Sequence, residues 1–214
     1  MIEVDGAIFD RDLVALLFEY PRESLDRKHG PLGYKDHESY RGWLRDEFLF
    51  RCAYCRMCES WLRGSLGFEI DHGEPLQLAP HRSLEYDNLF YTCPWCNRSK
   101  ANAVVPDPFE YPFGLALRVD ESGVIHALND VGRMIVEGLQ LDHPEITYQR
   151  SLIMRILRLA QEKRQASFIL SLLGFPDPLP NLGSKRPPNG NSRPDGVSRS
   201  CYELQRSRSL PAIY

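Results

Sequence analysis

Two pairs of cysteines, Cys52 with Cys55 and Cys93 with Cys96, carry the clearest chemical pattern in the sequence. In each pair two residues separate the cysteines, a spacing that lets a tight turn direct both thiolates at one ion. Residues 56–92, between the pairs, are enough to form a hairpin and a loop that return the chain to its start. The two pairs together predict a closed four-sulfur site for structural Zn²⁺.

The cysteines also allow other interpretations. One pair alone could be a redox dithiol, but the presence of two pairs favours metal binding. Cys58 follows three residues after Cys55 and could replace one of the ligands, although the paired spacing does not require it. Cys201 lies far from the pairs in the sequence, and we expect it to be a free thiol. The role of Cys58 stays open.

The segment that follows the first cysteine pair contains an acid and a histidine side by side. Residues 67–72 alternate apolar and polar side chains, which predicts a short strand that ends in Asp71 and His72. Adjacent strand residues point to opposite faces. The two side chains therefore diverge unless the chain bends at Gly73 or Pro75.

Polar residues also surround the second cysteine pair. Residues 87–92 predict a second strand that includes Asn88 and leads directly into Cys93. The residues after Cys96 favour a short helix, on which Asn97 and Lys100 share a face because they are three residues apart.

This order of elements resembles the HNH endonuclease family, whose active site is a ββα-metal unit that a four-cysteine zinc site often stabilises. The matching segments are CAYC, FEIDH, YDNLFYTC and CPWCNRSK. The later segments DESGVIHAL and LQLDHPE, followed by Arg150, resemble an extension found in many bacterial members. The resemblance implies an α+β fold with a small ββα-metal core embedded in helices.

The resemblance also implies roles for five residues. His72 matches the first histidine of the motif, which is the general base, and Asp71 matches the metal-binding acid before it. Asn88 matches the central asparagine, which braces the loop that bears the base. Asn97 replaces the last histidine and still binds metal through its side-chain oxygen, so this sequence is an H-N-N variant. Lys100 is placed where it could contact a phosphate.

These residue types suit phosphodiester hydrolysis. Oxygen ligands from Asp71 and Asn97 favour Mg²⁺ or Mn²⁺ over a softer metal. Such a cation neutralises charge that develops on the phosphate and the leaving oxygen. A neutral imidazole at His72 can accept a proton from the attacking water. The resemblance implies DNA as the favoured substrate, with 5′-phosphate and 3′-hydroxyl products.

The charge of the chain limits how it can bind nucleic acid. The net charge is −3, and residues 183–214 hold six Lys and Arg against two acids. Because that segment contributes +4, the remaining residues 1–182 carry −7. Binding of nucleic acid by charge alone is therefore excluded. A bound cation, the C-terminal segment or a partner must assist.

Three functional hypotheses follow. The first is a metal-dependent nuclease that acts by itself, on DNA or alternatively on RNA. The second is a zinc-stabilised module that binds nucleic acid or protein without catalysis. The third is a nuclease subunit directed by a partner protein, such as an ATPase in a bacterial anti-phage defence or restriction system. The acidic body favours the third over a free, avid DNA binder. The oligomeric state stays open.

Composition and pattern divide the chain into four parts. Hydrophobic residues make up 43% and charged residues 26%, which excludes wholesale disorder. The acidic start, with no basic stretch before an apolar one, and the lack of a long apolar run lead us to expect a cytoplasmic protein without membrane contact. The predicted parts are a helical lead-in (1–50), the nuclease core (51–105), a hairpin with a helical extension (106–175) and a disordered basic tail (176–214).

Periodicity predicts the elements outside the core. Apolar spacing predicts helices, and a turn sequence flanked by apolar residues predicts a hairpin. The predicted helices cover residues 9–20, 38–48, 131–141 and 144–173, and the hairpin arms cover residues 115–119 and 124–127.

Overall fold

The structure is a computed structural model, and it describes residue 9, residues 12–62 and residues 67–214. Helices and two small antiparallel sheets form an α+β fold, as the sequence predicts. The α-helices are α1 (Leu13–Leu17), α2 (Arg41–Glu47), α3 (Pro94–Lys100), α4 (Asp130–Leu139), α5 (Pro144–Glu162), α6 (Ala166–Leu173) and α7 (Cys201–Arg206); the strands are β1 (Glu69–His72), β2 (Leu89–Thr92), β3 (Leu117–Val119) and β4 (Ile125–Ala127).

The strands β1 and β2 and the helix α3 form the central unit. Strands β1 and β2 are antiparallel, with Glu69 opposite Thr92 and His72 opposite Leu89. Helix α3 starts directly after β2, because Cys93 caps it and Pro94 occupies its first turn, where no backbone N–H is needed. The helix packs against β1. A ββα arrangement of this kind was predicted, but α3 begins earlier than expected and includes Cys96.

The lead-in, residues 1–50 of the sequence, packs against β2 of this unit through helix α2. Helix α2 buries Trp43 and Leu44 and contacts β2. A 3₁₀ turn over Glu38–Tyr40 precedes it, so the predicted helix over residues 38–48 is largely present. Helix α1 is shorter than the predicted helix over residues 9–20, of which residues 10 and 11 lie outside the described residues.

The extension packs against the second cysteine pair. Helix α4 contacts α3, and the indole Nε1 of Trp95 donates to the backbone oxygen of Leu139 at 3.3 Å. Arg150 on α5 is buried and donates to the backbone oxygens of Gly123 at 2.8 Å and Leu141 at 2.7 Å. This arginine therefore joins the β3–β4 turn, the end of α4 and helix α5.

The long helix predicted over residues 144–173 is two helices. Helix α5 ends at Glu162 and α6 begins at Ala166. Arg164, between them, has a φ of 49°, in the left-handed region that interrupts a right-handed helix. Apolar periodicity alone did not reveal this break, because both helices bury faces with the same spacing.

The prediction of a disordered tail over residues 176–214 is wrong. The segment contains two 3₁₀ stretches, Leu182–Ser184 and Pro194–Arg199, and helix α7. Leu179 and Cys201 are buried against Phe50. The backbone N–H of Cys201 donates to the buried carboxylate of Asp46 at 2.6 Å. The segment is therefore an integral layer over the lead-in.

Within the described part of the chain, none of the helices combines the length and the apolar character that a membrane span requires.

Candidate active site and metal site

The four paired cysteines converge on one buried point. The Sγ atoms of Cys52, Cys55, Cys93 and Cys96 lie within 4.8 Å of one another, and those of Cys55 and Cys93 are 3.6 Å apart. A tetrahedral ion with Zn–S bonds of about 2.3 Å places its sulfurs about 3.8 Å apart. The donor set and its spacing therefore fit structural zinc.

Burial disfavours the charged form of these thiols and so favours a bound cation. It raises the pKa of the Cys96 thiol well above its usual range, because a thiolate is disfavoured away from water. Metal ligation requires the thiolate form, and a bound cation supplies the compensating charge.

Each cysteine pair is held by the backbone around it. In the first turn, the N–H of Arg56 donates to the backbone oxygen of Cys52 at 3.1 Å, and Arg56 has a φ of 64°. The N–H of Ala53 donates to the backbone oxygen of Tyr91 at 2.8 Å, which attaches this turn to β2. In the second turn, the N–H of Cys96 approaches the Sγ of Cys93 at 3.5 Å.

The other two cysteines are buried apart from this cluster. Burial raises the pKa of Cys58 to about 11 and that of Cys201 to about 12. Such thiols remain protonated at neutral pH and are poor nucleophiles. The expectation of a free thiol in the C-terminal segment is met, but Cys201 is enclosed rather than exposed.

The face between β1 and α3 carries two matched pairs of polar side chains. Glu69 and Asp71 share one face of β1, and Asn97 and Lys100 share one face of α3. The amide of Asn97 donates to the carboxylate of Glu69, and the ammonium of Lys100 contacts Asp71. The strand and helix periodicities thus place Asp71 and Asn97 on opposite sides of the same interface.

Asp71 is buried and receives two donors. The hydroxyl of Tyr54 donates to Oδ2 at 2.8 Å, and the Lys100 ammonium lies 3.2 Å from each carboxylate oxygen. Burial raises the pKa of Asp71 above its usual value, and Lys100 and Tyr54 oppose that rise. Burial also raises the pKa of Tyr54 well above its usual range, so its hydroxyl keeps the proton that it donates.

Lys100 is placed differently from the sequence expectation of a phosphate contact. Its side chain is fully buried, and its ammonium also donates to the backbone oxygen of His72 at 2.6 Å. An ammonium enclosed between Asp71 and the end of β1 does not reach a substrate. The spacing on α3 correctly placed Lys100 beside the site but could not show which way the side chain extends.

His72 leaves β1 on the other side from Asp71. Its Nε2 lies 3.0 Å from the backbone oxygen of Ser83, and its ring meets that of His37 edge-on at 6.0 Å between centroids. In the described part of the chain, no hydrogen bond or ring contact joins the His72 ring to Asp71 or Asn97. The divergence expected from strand geometry is therefore present.

The Ser83 contact fixes the tautomer of His72. A carbonyl oxygen only accepts, so Nε2 carries the hydrogen and Nδ1 carries the lone pair in the neutral ring. His72 is partly exposed, and in this tautomer Nδ1 is the ring nitrogen that can accept a proton.

Asn88 holds the loop that positions His72. Its Oδ1 accepts from the N–H of Glu74 at 2.8 Å, and its Nδ2 donates to the backbone oxygens of Glu74 at 3.3 Å and Arg82 at 3.2 Å. A glycine at position 73 lets the loop pass close to β2, since a Cβ atom there would lie 2.5 Å from the ring of Phe90. Because Arg82 precedes Ser83, these bonds support the carbonyl that orients His72.

The residues of the β1–α3 face fit a hard divalent cation. A carboxylate offers about four lone-pair positions, and Tyr54 and Lys100 leave part of that capacity on Asp71 unused. The Asn97 amide donates through its nitrogen, which leaves its oxygen available as a ligand. Oxygen donors of these two types suit Mg²⁺ or Mn²⁺.

Sequence reasoning assigned no role to three residues that lie near the site. Tyr54 contacts Asp71, Glu69 contacts Asn97, and His37 contacts the His72 ring. Period-2 alternation on β1 was a usable indication for Glu69, since it shares a face with Asp71. No spacing rule links His37 or Tyr54 to the site, because both contacts depend on tertiary packing.

The comparison with protein families agrees with this geometry. The family model described as HNH endonuclease matches residues 55–103. The matched range contains β1, β2, α3 and three of the four paired cysteines. A search of curated proteins finds no match. Over residues 55–103 the chain is therefore similar to HNH endonucleases, and this similarity supports nuclease activity at the level of the family.

Proposed function

We propose that this protein is a metal-dependent endonuclease that hydrolyses phosphodiester bonds of DNA. The proposal starts from the match of residues 55–103 to the HNH endonuclease family. Residues 51–105 are the catalytic unit of this protein, and its products carry 5′-phosphate and 3′-hydroxyl ends. The observation that carries the proposal is the orientation of His72, whose Nε2–H is held by the Ser83 carbonyl at the end of the strand that also carries Asp71.

His72 acts as the general base through Nδ1. The Ser83 carbonyl keeps the hydrogen on Nε2, so the opposite nitrogen accepts the proton of the attacking water. Such base catalysis typically contributes a rate factor of about 10²–10⁴. Asn88 braces the loop around Ser83, and we assign it a positioning role on the basis of its three side-chain hydrogen bonds.

Asp71 and Asn97 hold the divalent cation, Mg²⁺ or Mn²⁺. When bound, the cation supplies charge stabilisation to the phosphate and the leaving 3′ oxygen. Lys100 opposes the rise in the pKa of the buried Asp71 carboxylate and links this residue to the His72 backbone. We therefore assign Lys100 a positioning role in place of the phosphate contact expected from the sequence.

Nicking of supercoiled plasmid tests the proposal. Purified protein with Mg²⁺ or Mn²⁺ is compared with the His72→Ala variant and with a reaction that lacks added divalent cation. The expected result is cation-dependent nicking that falls by at least about 10²-fold in the variant, since the general base is lost. End-labelling of the nicked strand checks for the 5′-phosphate.

Two controls make the result specific. His81→Ala removes an exposed histidine from the same loop region and should nick like the wild type. Zinc content and the circular dichroism spectrum must be the same in all three proteins. Equal nicking by wild type and His72→Ala would contradict the assignment of the base. Tight DNA binding without cleavage would favour the binding-module hypothesis. Cleavage of RNA but not of DNA would show that RNA is the substrate.

One observation favours a second candidate, a nuclease subunit directed by a partner such as an ATPase in a bacterial anti-phage defence system. The loop between β1 and β2 carries three acids and one arginine, and Arg82 is paired with both Glu74 and Glu85. This loop therefore offers little free positive charge to a phosphate backbone. Efficient cleavage by the protein alone at physiological salt would contradict a requirement for a partner.

A further inference from the structure

Tyr54 lies inside the first cysteine turn, between two residues of the four-sulfur cluster. Its side chain extends away from the sulfurs toward β1, and its hydroxyl donates to Oδ2 of Asp71 at 2.8 Å. Its ring stacks on Phe90 of β2, with centroids 5.9 Å apart and an interplanar angle of 22°. One buried side chain therefore connects the cysteine turn with the candidate catalytic carboxylate.

The position of Tyr54 depends on the closed cysteine turn. Cys52 and Cys55 flank it on both sides, so the ion that holds these two thiolates also fixes the backbone from which the ring extends. The stacking on Phe90 fixes the ring plane. The hydroxyl then reaches one oxygen of Asp71, while Lys100 contacts both.

We infer that Tyr54 is a positioning residue that couples the structural zinc turn to cation binding at Asp71. The inference rests on the proposed function, because it assumes that Asp71 binds the catalytic cation. The hydroxyl restrains the orientation of the carboxylate and leaves part of its lone-pair capacity free for a cation. Groups that orient a metal ligand in this way typically contribute about 10–100-fold to metal affinity.

A matched control is present in the same unit. Tyr91 on β2 is also buried, and its hydroxyl donates to the carboxylate of Glu59 at 2.6 Å. Glu59 pairs with Arg45, and the side-chain partners of Asp71 are other residues, Tyr54 and Lys100. Tyr91→Phe therefore removes the same kind of hydrogen bond as Tyr54→Phe without touching the candidate cation site.

Binding of Mn²⁺ to the zinc-loaded protein tests the inference without relying on activity. Isothermal titration calorimetry should show affinity about tenfold lower for Tyr54→Phe than for wild type, with full zinc content and an unchanged circular dichroism spectrum. Tyr91→Phe should bind Mn²⁺ like the wild type. Equal Mn²⁺ affinity in Tyr54→Phe and wild type would overturn the inference.

Reciprocity provides a second readout. If zinc occupancy strengthens Mn²⁺ binding, Mn²⁺ must strengthen zinc binding by the same factor. Saturating Mn²⁺ should therefore lower the extent of zinc transfer to a chromogenic chelator in wild type and in Tyr91→Phe. The effect should be absent in Tyr54→Phe, and an undiminished effect in that variant would contradict the coupling.

Asp71→Asn separates the failure of the inference from the failure of the proposed function. If this variant folds with zinc and binds Mn²⁺ as the wild type does, Asp71 is not a cation ligand, and both the cation site and the coupling are overturned. If Asp71→Asn loses Mn²⁺ binding while Tyr54→Phe does not, only the coupling is overturned. Loss in both variants, with Tyr91→Phe unaffected, supports both.

Discussion

Among the residues of the β1–α3 face, Lys100 is the one whose substitution we expect to lower the stability of the fold most. Lys100→Met retains the length and the apolar stem of the side chain but removes the ammonium. Asp71 then loses a contact at 3.2 Å and remains buried with the Tyr54 hydroxyl as its side-chain donor. The backbone oxygen of His72 also loses its donor at 2.6 Å. The substitution therefore leaves a buried charge uncompensated.

Removal of one partner from a buried ion pair typically destabilises a protein by about 3–5 kcal/mol. That is a large share of the roughly 5–15 kcal/mol that stabilises an ordinary folded domain. Arg206→Met serves as a control for the loss of an ion pair at the surface. Arg206 pairs with Glu203 near the exposed end of α7, and its loss should change stability by less than about 1 kcal/mol.

Urea denaturation followed by circular dichroism, in buffer without added divalent cation, measures the effect. The deficit of Lys100→Met should depend on pH. Burial raises the pKa of Asp71 in the folded state, and loss of Lys100 removes a group that lowers it. An acid with a raised folded pKa stabilises the fold most below its unfolded pKa and less as pH rises through the folded value. The deficit should therefore be larger at about pH 7.5 than at about pH 5.5.

The double variant Asp71→Asn with Lys100→Met decides whether the pair acts as a unit. Removal of both charges leaves neither of them uncompensated, so the double variant should be more stable than the sum of the single losses predicts. Strictly additive losses would refute the reasoning. So would a Lys100→Met deficit that is below about 1 kcal/mol or that increases at low pH.

Two further perturbations test the surroundings of the proposed base and the packing of the C-terminal segment. Asn88→Ala removes three hydrogen bonds at a buried position. It should lower the free energy of unfolding by about 2–4 kcal/mol, and in plasmid nicking it should lower kcat more than it changes KM. Asn102→Ala, at an exposed position, should have neither effect. Truncation after Asn181 removes the buried residues Leu182 and Ile213. Burial of each side chain stabilises the fold by about 1.5–3 kcal/mol, so the melting temperature should fall. An unchanged melting temperature would contradict the ordered packing of this segment.

The sequence predicted the parts of the site that depend on local periodicity. Two-residue spacing placed the cysteines, alternation on β1 predicted that Asp71 and His72 diverge, and helical spacing placed Asn97 and Lys100 on one face. Long-range packing determined the remainder. The direction of the Lys100 side chain depends on the burial of Asp71, which no local pattern records.

The C-terminal segment shows the limit of reasoning from composition. Its Pro, Gly, Ser and Arg content is typical of disorder, because few residues can build a core. A segment that packs on an existing surface needs only a few apolar anchors, and Leu179, Cys201 and Ile213 supply them. Buried groups on the lead-in, such as the Asp46 carboxylate, provide the polar partners. Composition describes a segment by itself, but whether that segment is ordered also depends on the surface against which it packs.

The same packing explains why the proposed base, His72, is held by residues far outside residues 51–105. Arg27 of the lead-in donates to the backbone oxygens of Leu89 at 3.0 Å and Asp87 at 3.1 Å. Arg193 of the C-terminal segment pairs with the Asp87 carboxylate at 2.8 Å. Arg27 therefore fixes the backbone on either side of Asn88, and Arg193 holds the side chain of the preceding residue. The side chain of Asn88 in turn braces the loop around His72. The orientation of His72 thus depends on the lead-in and the C-terminal segment as well as on the ββα unit.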